Sequence, residues 1–135
     1  MKQILVIDAQ GGGIGKQLVA AIKQNIPGVT VTAAGTNVIA TQAMMKAGAD
    51  QGATGENAVV VNCRHADIIA GPVGMVIADS LQGEITPAMA LAVAQSRADR
   101  VLIPFSNCSN TIVGISDYRV GQLVQQAVEI IRKKL

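Results

Sequence analysis

The stretch ILVIDAQGGGIGKQLVAAI, residues 4–22, joins two different hydrophobic patterns at a cluster of glycines. Its first part is a continuous apolar run that ends at Asp8, which is typical of a strand buried on both faces of a sheet. Beyond the glycines, apolar residues return at helical spacing from Ile14 to Ile22. The stretch therefore predicts a strand, a tight turn and a helix, the opening unit of a parallel α/β sheet.

The same alternation continues along the chain. Short apolar or β-branched runs predict strands over residues 3–8, 29–34, 49–53, 67–71 and 100–104, with 111–115 as a sixth candidate. Helical spacing predicts helices over residues 14–26, 38–48, 57–65, 87–94 and 119–135. Segment 57–65 contains AVVV, which has strand propensity. Thr54 as an N-cap ahead of it and a clear strand after it favour a helix.

This order of elements predicts an α/β fold with a doubly wound, mostly parallel sheet, a Rossmann-like three-layer sandwich. A chain of 135 residues is expected to form one domain, residues 1–135. Half of the residues are hydrophobic, yet Phe105 and Tyr118 are the only aromatic ones, so the core must be aliphatic. So much apolar surface in a short chain, including the run at residues 73–78, predicts a homo-oligomer.

Composition argues against several classes of function. A net charge of +2, with basic residues clustered only at 132–134, does not favour nucleic acid, and single strands would need aromatic platforms that are nearly absent. The longest apolar stretch, residues 68–78, is interrupted by glycine and proline and is too short to span a membrane. Cys63 and Cys108 form no disulfide framework, and no signal-peptide pattern is present, so a cytoplasmic location is expected.

The loops expected at the carboxyl ends of the strands are rich in small and uncharged polar residues. Ligands of doubly wound sheets bind there, and backbone N–H groups with hydroxyls suit phosphate recognition at a helix N-terminus. The predicted binding residues are Gly11, Gly12, Gly13, Ile14, Gly15, Thr36, Asn37, Thr54, Asn57, Gly71 and Asn107. The alternative is that the glycines only let a helix pack closely on a strand, and Gly15 is the better candidate for that role.

The GGGIG sequence resembles the first turn of the short-chain dehydrogenases, although Ala9 stands where the first glycine of that motif belongs. This resemblance implies a nucleotide or NAD(P) as the ligand class. Two companions are missing: the second predicted strand does not end in an acidic residue, and Tyr118 is followed four residues later by Gln122 instead of lysine. The resemblance therefore covers only the first strand–helix unit and implies a binding turn without oxidoreduction.

Over its whole length the chain resembles a family of short bacterial proteins known only as a domain of unknown function. The stretches that carry this resemblance are GGGIGK, GTNVIATQAMMKAGADQGATGENA, DIIAGPVGMVIADSLQGEITPAMA and LIPFSNC. It implies a Rossmann-like fold and assigns no catalytic residue.

Three residues are candidates for chemistry. Asp8 and Glu84 could act as an acid and a base near one cleft, and Cys108 could be a nucleophile after the fifth strand. The alternatives are that Asp8 fixes the glycine turn, that Glu84 is an exposed turn residue, and that Cys108 is inert packing. Cys63 and His65 have no second pair of ligands at a recognisable spacing, so no metal site is predicted.

These observations favour a small cytoplasmic domain that binds a nucleotide, a dinucleotide or another phosphorylated metabolite through its glycine-rich turn. Two further hypotheses stay open: a small enzyme that uses the same cleft, and a structural or regulatory oligomer that binds no small molecule. The absence of a recognisable catalytic motif favours the binding domain over the enzyme. The hydroxyl and amide residues on five separate loops favour it over the structural subunit.

Overall fold

The computed structural model describes residues 1–105, 109–116 and 119–135. Within these ranges, five strands alternate with five α-helices. The strands are β1 (Lys2–Asp8), β2 (Val29–Gly35), β3 (Gln51–Thr54), β4 (Ile68–Pro72) and β5 (Asp99–Ile103). The helices are α1 (Gly13–Asn25), α2 (Val38–Lys46), α3 (Glu56–Asn62), α4 (Pro87–Gln95) and α5 (Val120–Lys134), with a short 3₁₀ helix over Val73–Val76.

All strand pairs are parallel, and the strand order is β3-β2-β1-β4-β5. The chain winds outward from β1 to β2 and β3, and then crosses back to build β4 and β5 on the other side. This confirms the predicted doubly wound α/β fold. The winding direction reverses between β1 and β4, which is the place where such sheets form a ligand crevice at their carboxyl edge.

The core consists of two apolar layers, one on each face of the sheet. Side chains of β1 alternate between them: Ile4 and Val6 lie in the layer with α1 and α5, whereas Leu5 and Ile7 lie in the layer with α3 and α4. Because successive side chains of a strand point to opposite faces, a continuous apolar run is what a doubly covered strand requires. The opening stretch thus forms the predicted strand, turn and helix.

Several local predictions are confirmed and others are wrong. The ambiguous segment 57–65 is helical over most of its length, since α3 runs from Glu56 to Asn62. Asn37 and Thr86 cap α2 and α4, with Pro87 in the first turn of α4. Thr54 does not cap α3; it ends β3, and Gly55 takes the cap position. Residues 111–115 form no strand, because β propensity does not make a strand without a neighbour to pair with.

Of the helices in the described ranges, none combines the length and the apolar character needed to cross a bilayer.

Candidate functional site

Asp8 is the buried anchor of the turn between β1 and α1. Its side chain is 5% exposed, and its two carboxylate oxygens accept hydrogen bonds from the backbone N–H groups of Ala9 and Gly15, at 2.8 and 2.6 Å. Burial raises the pKa of Asp8 above its ordinary value, although hydrogen bonds from Gly15, Ala9 and Ile14 act against this, and the nearby Glu84 charge adds to it. The carboxylate thus holds the two ends of the turn together by hydrogen bonds, which is the structural role considered for Asp8.

The glycines of this turn have different surroundings. Gly12 adopts a left-handed conformation (φ 75°), and a Cβ there would lie 3.0 Å from the Cα of Ala40. A Cβ on Gly15 would lie 2.6 Å from Met44 Sδ and 2.8 Å from Asp8 Cβ, so Gly15 allows α1 to pack closely. A Cβ on Gly11 or Gly13 would meet no atom within 4 Å among the described residues. Only these two glycines leave free space in front of the turn.

The backbone N–H groups of the turn are also used unequally. Gly12 donates to Ala9 O at 3.0 Å, and Gly15 donates to Asp8. In the described part of the chain, no acceptor is bonded to the N–H groups of Gly11 and Gly13. Within the described residues, these two N–H groups of the turn are therefore free to donate to another acceptor.

Glu84 joins three loops at the same edge of the sheet. Its Oε1 accepts hydrogen bonds from the backbone N–H of Gln10 (2.9 Å), the hydroxyl of Thr36 (2.6 Å) and the side-chain amide of Asn37 (2.9 Å). Asn37 also donates to Gln10 O at 3.0 Å, while its Oδ1 caps α2 by accepting from the N–H of Ala40. Glu84 is therefore half-buried and bonded, and its interpretation as an exposed turn residue is wrong.

The two carboxylates of this edge have pKa values shifted in opposite directions. Burial raises the pKa of Glu84, but the hydrogen bonds from Thr36, Gln10 and Asn37 together hold it below the ordinary value. The pKa of Asp8 is raised, chiefly by burial. The sequence placed both carboxylates near one cleft; of the two, only Asp8 lines the cleft at the switch point, and Glu84 lines neither cavity at this edge.

A cleft of about 240 Å³ opens at the switch point between β1 and β4. One side is the glycine turn, and the other side carries apolar residues from four separate segments of the chain. An adjoining cavity of about 440 Å³ shares Gln10, Leu81 and Phe105 with it. No lysine or arginine of the described residues lines either cavity. The lining of the smaller cleft is Asp8, Ala9, Gln10, Gly11, Gly12, Gly13, Ile14, Gln17, Pro72, Leu81, Phe105 and Val120.

The remaining predicted binding residues lie apart from this cleft. Thr54 is bonded to the hydroxyl of Thr41 at 2.7 Å, and Asn57 is exposed on α3. Gly71 is buried in β4, where a Cβ would collide with the carbonyl oxygen of Ile7 and lie 2.9 Å from Met75 Sδ. None of the three contributes to the lining, and neither do the predicted residues Gly15, Thr36 and Asn37. Asn107 and Cys108 lie outside the described residues.

Cys63 and His65 are far from the cleft, at the other end of the β4 strand. Cys63 is 3% exposed, and burial raises the pKa of its thiol to about 11, so it is an unreactive core residue. His65 is exposed near the amino edge of the sheet. Among the described residues, no group of three potential metal ligands is found.

The sequence reasoning missed the apolar half of the cleft: Pro72, Leu81, Phe105 and Val120. Leu81 belongs to a tight segment in which Asp79, Leu81 and Gln82 have φ values of 64°, 55° and 58°. This left-handed conformation is costly for residues other than glycine. Aspartate is common in this conformation, but Leu81 and Gln82 are not, so the sequence does not predict the segment as a whole. The available signal for the apolar half of the cleft was Phe105, an aromatic residue in a chain with almost none.

The parallel sheet, its strand order and the glycine-turn cleft at the switch point define a Rossmann-like α/β domain. The chain belongs to the family described as "Domain of unknown function (DUF3842)", whose family model matches residues 3–135. None of the curated proteins matches the sequence.

Two solved structures are similar to this chain. One is an FMN-dependent cysteine decarboxylase from thioviridamide biosynthesis, with a TM-score of 0.53 and 11% identity over 99% of this chain and 86% of that one. The other is a dodecameric FMN-dependent UbiX-like decarboxylase from Escherichia coli O157:H7, with a TM-score of 0.48 and 18% identity over 98% of this chain and 76% of that one. At these identities, the first similarity supports the fold alone.

Proposed function

We propose that this protein is a small binding domain for a phosphorylated molecule, a nucleotide, a dinucleotide or another phosphorylated metabolite, held at the glycine turn. The observation that carries the proposal is the combination at Gly11 and Gly13: free N–H donors, open space in front of them, and a position on the cleft. Gly13 is also the first residue of α1, where the helix dipole favours an anion.

The charges around the turn limit what it can hold. Asp8 already accepts from Gly15, and no described lysine or arginine lines the cleft. Two backbone donors without a nearby cation suit one phosphate group better than an extended chain of phosphates. The apolar side chains of Leu81 and Phe105 would then contact the rest of the ligand, a ring or a sugar, in the adjoining space.

A thermal-shift screen tests the proposal, since a ligand that binds only the folded chain raises its melting temperature. The probes are nucleoside monophosphates, NAD(P), sugar phosphates and FMN; FMN carries one phosphate and is the cofactor named for the structurally similar cysteine decarboxylase. Inorganic phosphate serves as the control for nonspecific salt effects. The proposal is abandoned if no probe raises the melting temperature more than inorganic phosphate at equal concentration.

The glycines provide a matched pair of variants. We expect Gly13→Ala to weaken ligand binding roughly tenfold, about 1.4 kcal/mol, because its methyl group would project into the cleft. Its melting temperature should be unchanged or slightly higher, since alanine favours a helix. Gly15→Ala should instead lose about 1–3 kcal/mol of stability through overpacking against Met44 and Asp8. Equal affinity of Gly13→Ala and the unaltered chain, measured with a ligand that binds, would exclude the phosphate role.

We also propose that the protein assembles with copies of itself, through a different surface from the one expected. In residues 73–78, Gly74 and Met75 are buried and only Ala78 is exposed, so this run offers little free apolar surface. Helix α4 instead has the uncharged sequence PAMALAVAQ and presents Leu91, 56% exposed. A surface helix without a charged face usually lies against another chain.

Light scattering measures the assembly. Leu91→Lys should reduce the molar mass of the assembly, whereas the same change at Ile130, exposed on α5, should not. A chain that is monomeric at every concentration would contradict this proposal. The cytoplasmic location stays a prediction.

A further inference from the structure

Helices α3 and α4 lie side by side on one face of the sheet and are hydrogen-bonded to each other's surroundings at both ends. Where the helices begin, the hydroxyl of Thr86 donates to Glu56 Oε1 at 2.6 Å. Where they finish, the hydroxyl of Ser96 donates to Cys63 O at 2.7 Å. A groove of about 560 Å³ lies between them. Because both ends are bonded, the two helices present one fixed outer surface, the α3–α4 face.

The α3–α4 face is apolar in its middle and charged at its ends. The exposed residues of α4 carry no charge, and Leu91 and Val60 both line the groove. Arg64 and Arg97 line it at the end where the helices finish. Neither guanidinium has a hydrogen-bond or ion-pair partner among the described residues. Glu56 lies at the opposite end, in the first turn of α3.

This distribution of charge makes the face complementary to a second copy of itself. Glu56 and Arg64 lie equally far along the chain from Val60, on either side of it, and are separated by about 12 Å along the helix axis. If two copies meet with their helices antiparallel, the acidic end of each lies on the basic end of the other. If the helices were parallel, like charges would meet. A two-fold interface uses the same patch of both copies, so the patch has to complement itself in this way.

A second exposed apolar patch, on α2, lacks this property. Val38 and Ile39 are exposed there. The cavity beside them is lined by Lys16 and Lys46, and no acidic residue of the described chain lines it. A second copy on this patch would bring only like charges together, which repel each other. The charges therefore favour the α3–α4 face over the α2 patch for contact between copies.

We propose that a second copy of this chain docks on the α3–α4 face about a two-fold axis, with the helices of the two copies antiparallel. This inference rests on the assembly through α4 proposed above and specifies its surface and its symmetry. Glu56 of each copy lies against Arg64 of the partner subunit, and Leu91 of each copy packs at the centre, against the groove of the other. The two glycine-turn clefts then lie at opposite ends of the dimer, so each copy binds its ligand by itself.

Two oppositely charged variants test the arrangement. One is Glu56→Arg, and the other combines Arg64→Glu with Arg97→Glu. Each variant alone places like charges at both ends of the interface, so its dimer should dissociate roughly tenfold more readily than that of the unaltered chain. An equimolar mixture of the two restores both contacts, and mixed dimers should form with an affinity within about threefold of the original. Sedimentation measures the affinities, native mass spectrometry counts the mixed dimers, and melting temperatures establish that each variant is folded.

The matched control makes the same changes of charge on the exposed face of α5. One control variant is Glu129→Arg, and the other combines Arg132→Glu with Lys133→Glu. Neither should weaken the dimer, and their mixture should pair at random, because this face lies outside the proposed interface. A preference for mixed dimers in the control as large as in the test would show that net charge alone causes the pairing and would overturn the inference.

The remaining outcomes separate this inference from the proposed function. A chain that is monomeric at every concentration overturns both the arrangement and the proposed assembly, whereas the phosphate site has its own test. If the chain assembles but the two test variants pair at random, only the antiparallel arrangement is overturned.

A cysteine cross-link decides the matter if a charge variant fails to fold. In a Cys108→Ser background, Leu91→Cys should form a disulfide-linked dimer on mild oxidation, because the two-fold axis brings this position of the two copies together. Ile130→Cys, exposed on α5, should not. Equal cross-linking of the two variants would overturn the arrangement.

Discussion

The two halves of the carboxyl edge are built in opposite ways. Above β1 and β2, the polar side chains of Thr36, Asn37 and Glu84 bond one another and the backbone of Gln10. Above β4 and β5, the edge is open, and apolar side chains such as Leu81 and Phe105 line its cavities. The turn from Ala9 to Ile14 separates the two halves and faces the open one.

This difference shows that polar residues in such loops are compatible with two arrangements, which the sequence alone does not distinguish. Hydroxyls and amides at the ends of parallel strands can bind a ligand, or they can bind one another. Thr36 and Asn37 do the second, because Glu84 reaches them from a loop that is far away in sequence. A buried or half-buried polar group needs a partner, and here the chain supplies it. The space that remains for a ligand therefore lies on the less polar side.

The largest expected effect comes from Gly71, at the boundary between the halves. A Cβ at this position in β4 would collide with the carbonyl oxygen of Ile7 in the neighbouring strand, and a strand backbone cannot move away as a side chain can. We expect Gly71→Ala to lose about 3 kcal/mol or more of the free energy of unfolding, measured by chemical denaturation. Gly13→Ala is the control, since its Cβ meets no described atom. Similar stabilities of the two variants would show that Gly71 does not hold β1 and β4 together.

Asp8→Asn should have the next largest effect, because an asparagine offers only one acceptor oxygen to the two N–H groups of Ala9 and Gly15. One N–H would then face the NH₂ group of the new side chain, which should lower the free energy of unfolding by about 2 kcal/mol. Since the pKa of Asp8 is raised in the folded chain, its contribution to stability is present at low pH and is lost as the pH rises through that pKa. The difference in unfolding free energy between wild type and variant should therefore narrow as the pH rises; a difference that widens would contradict the burial argument.

Glu84→Gln should lower the free energy of unfolding by less, about 1 kcal/mol, because Glu84 is only half-buried and part of its hydrogen bonding survives. The pKa of Glu84 is lowered in the folded chain, so its contribution is present at neutral pH and is lost as the pH falls through that pKa. The unfolding free energies of wild type and variant should therefore converge as the pH falls, whereas those of wild type and Asp8→Asn converge as the pH rises. Glu129→Gln, which removes an exposed ion pair with Arg132, should change stability by roughly 0.3 kcal/mol and serves as the control.

The fold was more predictable than the site, for a physical reason. Strand and helix periodicity records which residues are buried, so β1, α1 and the winding of the sheet follow from local patterns. The Asp8 anchor and the packing role of Gly15 also lie within one strand–turn–helix unit. The contact of Glu84 with Thr36 spans 48 positions in the chain and depends on three loops at once. Such contacts arise from the tertiary structure, and no local pattern encodes them.

The smallest expected effect concerns Cys108, which the sequence places after β5 and which lies outside the described residues. We expect Cys108→Ser to change ligand affinity no more than about threefold, less than 1 kcal/mol, because a neutral contact at the edge of a cleft contributes little. The same variant allows a check on Cys63, whose burial and raised thiol pKa of about 11 predict no labelling by a thiol reagent until the chain unfolds. If Cys108→Ser bound its ligand normally but lost a measured reaction, the enzyme hypothesis would replace the binding domain. The open half of the carboxyl edge, above β4 and β5, would then be a catalytic site. The hydrogen-bonded half, above β1 and β2, would hold the turn next to it in place.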